Sequence, residues 1–159
     1  AREAVKEIGE GATKMREILF KGFSPNDNGK QIITLDGKDY RGNWVEGYYV
    51  ADNWILGKII DWDDEYVTPK YWWRVIPETV CEFTGLLDKH GKKIFEGDTV
   101  YFMCDLDGEL NEELITVYWD EKVAGFLGKS NESDLPVELD FVDEGEVVGD
   151  IFDTRSVEK

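Results

Sequence analysis

The chain has 159 residues, 42% hydrophobic and 13% aromatic, with a formal net charge of −17. That is enough apolar material for one compact domain or two small subdomains sharing a core, which excludes general disorder. No apolar run approaches the ~18 residues of a membrane-spanning helix, and the first 14 residues hold no apolar core of a secretory signal.

The charge is lopsided. Residues 1–100 carry 18 acidic and 14 basic side chains (18 − 14, net −4), and residues 101–159 carry 17 and 4 (17 − 4, net −13). Such a field repels nucleic acid phosphates, whose binding needs Lys and Arg to displace counterions, and it favours basic partners. An acidic surface that serves only solubility is the plainer alternative.

In chain order, residues 1–14 stand apart. Ala4, Val5 and Ile8 have helical spacing, and Gly9 and Gly11 would end a helix; a short helix, an arm or residues additional to the domain are all open. MREILFKGF (15–23) alternates as a strand, and SPNDNGK (24–30) is dense in turn formers. QIITL and KDY flank Asp36-Gly37, a pair suited to a two-residue hairpin turn. NWVEGYYV (43–50) is strand-prone, and NWILGKII (53–60) reads as a strand or the start of a short helix. IDWDDEYVTPK is polar and acidic and reads as an exposed loop. YWWRVIP (71–77) is a strongly β-prone run that Pro77 stops.

TVCEFTGLL, KKIF, DTVYFMC, LITVYWD, AGFLG and EVVGDIF follow as short strands, with turns about every ten residues, the cadence of a small barrel or sandwich. Asp88-Lys89-His90-Gly91 is a reversing turn. Glu96-Gly97-Asp98 is a second tight turn, because Gly97 lacks a Cβ. Val100 and Phe102, then Ile115, Val117 and Trp119, keep period two across a hairpin connected by DLDGELNE. The expected fold is mainly β: an N-terminal β subdomain over 15–80, an SH3-like small barrel over 81–153, and a tail over 154–159.

MREILFKG, NWVEGYYV, VIPETV, TGLLDKHGKKIFEGDTV and VVGDIFD occur in the order found in the YopX family of phage and prophage proteins, which the chain resembles over most of Met15 to Asp153. The resemblance implies Met15 as the usual start, a phage origin, a mainly β fold and a homo-oligomer. It supplies no catalytic residues, since the family's function is uncharacterised. The chain departs from the family pattern by longer stretches between Gly22 and Asn43 and around 61–69.

Candidate chemistry is thin. His90 is the only histidine, and Cys81 and Cys104 are 23 residues apart without ligand spacing, so zinc is not expected. Two free thiols fit a reducing cytoplasm. Asp105–Glu109 resembles a fragment of a calcium loop, but its flanks read as strands, so a hairpin turn is expected. No nucleophile elbow, phosphate loop or dinucleotide glycine motif occurs, and the expectation is a non-enzymatic protein with no cofactor.

Two surfaces are candidates for binding. On one strand Trp72 and Arg74 face one side and Tyr71 and Trp73 the other, so one face would show an aromatic beside a guanidinium. Glu138, Asp140, Asp143, Glu144 and Glu146 would line one side of strands and imitate phosphates, if they lie together. The function expected is binding of a host or phage protein, with inhibition of a defence or DNA-handling enzyme as one form. The alternatives are an oligomer that sequesters a nucleotide-like signal in pockets lined by tryptophans and Arg74, and a structural phage component.

Overall fold

The computed structural model describes residues 15–26, 33–35 and 37–152. The expectations for residues 1–14 and 154–159, and the turn at Asp36, lie outside the described residues. The fold is mainly β. Among the described residues no helix is long and apolar enough to cross a membrane.

Among the described residues, fourteen strands form three antiparallel sheets. The first half supplies β1 (Phe20–Phe23), β2 (Ile33–Thr34), β3 (Trp44–Val50), β4 (Trp54–Leu56), β5 (Ile59–Trp62), β6 (Val67–Pro69) and β7 (Tyr71–Arg74). The second supplies β8 (Cys81–Leu87), β9 (Lys93–Phe95), β10 (Asp98–Leu106), β11 (Glu109–Asp120), β12 (Gly125–Ser130), β13 (Pro136–Val137) and β14 (Glu146–Asp150). A seven-stranded sheet runs β2-β7-β4-β3-β1-β8-β9, and a five-stranded sheet runs β13-β12-β11-β10-β14; β5 and β6 pair only with each other.

Several expectations change. Neither larger sheet closes, so the SH3-like barrel expected over 81–153 is not formed as such. β8 pairs with β1 (Phe20 opposite Glu82) and carries β9 into the first sheet, and the break between sheets falls between Phe95 and Asp98. β2 pairs with β7, Ile33 opposite Trp72, and residues 37–40 form no strand, so QIITL and KDY are not partners. NWILGKII breaks at Gly57-Lys58 into β4 and β5 rather than starting a helix.

The acidic loop is a hairpin. Asp63 Oδ1 accepts the N–H groups of Glu65 (2.7 Å) and Tyr66 (3.0 Å), a side-chain turn that lets Trp62 pair with Val67. DLDGELNE is mostly strand: Asp107 and Gly108, both with positive φ, form a two-residue turn, and Leu106 pairs with Glu109.

Alternation along the strands builds three core clusters. Ile94, Val100, Ile115, Val117, Leu139 and Val142 form one, Leu19, Cys81, Phe83 and Phe95 another, and Val45, Ile55, Trp73 and Val75 the third. β9 joins the first two. Its period-two geometry sends Ile94 into the cluster of the five-stranded sheet and Phe95 into that beneath β1 and β8. The Asp88 turn clamps the same junction. The buried Asp88 carboxylate accepts the N–H groups of His90 and Lys92 (2.9 Å each) and, from β14, of Val147 (3.0 Å).

Candidate functional site

A cleft of about 650 Å³ lies where the edge strands β9 and β14 approach, walled by Trp44 and Glu46 of β3 and by residues 147–150. Lys21 of β1 crosses its floor. The Lys21 Nζ is 4.8 Å from the ring centres of both Trp44 and Phe95, and 2.9 Å from Asp98 Oδ1. Only 13% of the Lys21 side chain and 3% of the Asp98 side chain is exposed, so the pair is largely desolvated. Asp98 Oδ2 accepts the Phe95 N–H at 2.9 Å. Burial raises the Asp98 carboxyl; the Lys21 charge and hydrogen bond and the Phe95 N–H oppose that without cancelling it. At the rim Lys93 faces Glu46 at 3.5 Å.

The turn before it sets this geometry. Gly97 has φ +85°, donates its N–H to Val117 O (2.8 Å) and accepts the Ile151 N–H (2.9 Å). That corner aims Asp98 back at β1. The Gly-Asp pair, read from sequence as a corner between strands, is therefore also the source of a buried carboxylate. Sequence reasoning missed the ion pair, because Lys21 and Asp98 are 77 positions apart.

Tyr71–Arg74 forms β7, and Tyr71 and Trp73 share the core side, both against Tyr40, as the alternation predicts. Trp73 is buried between Val45, Ile55 and Val75, edge-on to Tyr40 at 5.4 Å, and its ring N–H finds no partner among the described residues. Trp72 is half-buried opposite Leu56 and Ile33. Arg74 is exposed and lies over the ring of Trp54, directly across the ladder, at 5.4 Å. The aromatic beside the guanidinium is thus Trp54, a residue the reading of β7 alone could not supply.

The acidic residues divide. Glu146 sits on β14, 3.5 Å from Lys89 Nζ and 3.6 Å from His90 Nε2. Glu138 and Asp140 flank the buried Leu139 on a turn, and Asp143 and Glu144 belong to the short 3-10 segment Val142–Glu144. They do not alternate along a strand. All four are exposed, and none has an ion-pair partner among the described residues.

Burial pushes the Cys81 thiol up to about 12, so it is not a thiolate at neutral pH. Among the described residues no group of His, Cys, Asp and Glu has the arrangement of a metal site. The family model described as YopX protein matches residues 25–156, well over half of the chain. No curated protein matches it.

Proposed function

The chain belongs to the YopX family, and from that premise we propose that it works by binding a protein partner with a basic surface rather than by chemistry. One observation carries this reading. The segment 138–144 holds Glu138, Asp140, Asp143 and Glu144 exposed, with no ion-pair partner among the described residues, while Leu139 and Val142 between them anchor it in the core. Carboxylates fixed on an anchored turn present charge at lower entropic cost than carboxylates on a loose loop. The net −13 of residues 101–159 adds a long-range field that steers basic partners in. A groove built for phosphates has the complementary charge, so the fitting partner is a DNA-handling or defence protein of the host, met in the cytoplasm by a phage or prophage product.

The test is capture from host lysate at low and high salt, with wild type beside a variant carrying Glu138→Gln, Asp140→Asn, Asp143→Asn and Glu144→Gln. A basic protein held by wild type at low salt, released at high salt and missed by the variant is the expected result. Capture by the variant at wild-type level would sink the assignment of this turn.

The cleft favours a second reading. Its volume lies in the range of small-molecule sites, and the half-buried Trp44 offers an aromatic face at its wall with Lys92 and Lys93 beside it. A thermal shift with nucleotides, absent in Trp44→Ala, would move the function there.

A further inference from the structure

The β5–β6 hairpin stands outside both larger sheets. It extends the β4–β7 ladder through the Gly57 N–H to Tyr71 O (2.7 Å) and Lys70 N–H to Lys58 O (2.8 Å) bonds, and projects with apolar surface uncovered. Trp62 and Val67, a cross-strand pair on one face, are 69% and 63% exposed. We propose that this hairpin is a self-association arm, and that two copies of the chain lay their arms antiparallel with the Trp62–Val67 faces together.

Charge identifies the second copy as the occupant. The arm's tip carries Asp63, Asp64 and Glu65, and its base carries Lys58 and Lys70, side by side through the Lys70 N–H to Lys58 O bond of 2.8 Å. Lys58, Lys70, Asp64 and Glu65 are exposed, and none forms an ion pair among the described residues. At roughly 3.3 Å per residue, tip and base are about 17 Å apart. Two antiparallel arms related by a two-fold axis bring each acidic tip to the other's basic base, so one surface is complementary to itself. A parallel arrangement would set tip against tip. Faces rather than edges meet, because the bulge between Ile59 and Asp61 and the missing N–H of Pro69 blunt both edges. This pairing does not depend on the acidic turn at 138–144.

Sedimentation of the full chain tests the arm. Wild type should self-associate in the micromolar range, and Trp62→Ser should raise the dissociation constant by at least about tenfold. Trp62 is exposed enough for the variant to fold, which cooperative unfolding checks. Two charge reversals make the test specific. Lys58→Glu with Lys70→Glu, and separately Asp64→Lys with Glu65→Lys, should each weaken self-association, and mixing the two variants should restore a heterodimer. A monomeric wild type, an oligomer unmoved by Trp62→Ser, or mixed reversals that stay apart would each overturn the proposal. A monomer that loses capture of a basic partner on Trp62→Ser would overturn it too, and would give the arm to that partner.

Discussion

Asp88 carries more structure than a turn residue usually does. Burial raises its carboxyl, but the N–H groups of Val147, Lys92 and His90, with the charge of His90, outweigh that and leave it below its ordinary 3.8. The unfolded chain therefore takes up the proton first as pH falls. The stability Asp88 contributes is complete above about 3.8 and is lost as pH falls through the folded value. Hydrogen bonds to a charged acceptor are worth about 1.5–3 kcal/mol each, and they are not additive, so Asp88→Ala should cost about 3 kcal/mol near neutral pH. Asp88→Asn keeps one acceptor oxygen and should cost less. Urea midpoints across the acidic range check both effects; a wild type and Asp88→Asn that lose stability in parallel below pH ~4 would show that other carboxylates govern acid unfolding. The turn itself was legible, because Asp and Gly bracket a reversal. The reach of Oδ2 to Val147 was not, since it joins residues 59 positions apart. The Lys21–Asp98 pair was hidden for the same reason: sequence names the residue types and the fold chooses the partners.

At the scale of elements, period two found the strands that have cores beneath them. Val45, Val100, Ile115 and Val117 are all buried, and β3, β7, β8 and β10 lie where the alternation put them. The β5–β6 hairpin was missed because Asp61, Asp63, Asp64 and Glu65 depress strand propensity, and its turn is closed by a side chain rather than by glycine. The barrel failed differently. The cadence of short strands was right, but pairing is non-local, and β8 found β1 instead of closing on the strands after it. The Gly97 corner links the two sheets and gives a sharp prediction. Its φ of +85° is costly for any residue with a Cβ, by about 1–2 kcal/mol, and a Cβ would also stand 3.1 Å from Ile151 Cγ1. Gly91 has a similar φ of +76° with nothing near its absent Cβ. Gly97→Ala should therefore lower the thermal midpoint more than Gly91→Ala, and the difference isolates the contact with Ile151. Equal shifts would mean that residue 151 gives way freely.

Over the whole molecule, charge acts on folding and on binding with opposite signs. A net −17 on a chain of this size repels itself in the compact state, and salt screens that repulsion. The exposed ion pairs that salt weakens, Arg16–Glu82 and Lys93–Glu46, contribute little, and the desolvated Lys21–Asp98 pair is screened least. Monovalent salt should therefore stabilise the fold. A gain of about 1 kcal/mol would raise the midpoint of a domain this size by about 2–4 °C. Binding of a basic partner should weaken over the same range, because its attraction is what salt screens. The two measurements together separate function from solubility. An acidic surface that serves only solubility predicts the rise in stability and no partner to lose. A binding surface predicts both, and neutralising Glu138, Asp140, Asp143 and Glu144 should then abolish capture while shrinking the salt-induced gain in stability. A midpoint that falls with salt would mean that surface ion pairs outweigh self-repulsion, and that the acidic excess of residues 101–159 is compensated in a way its exposed carboxylates do not show.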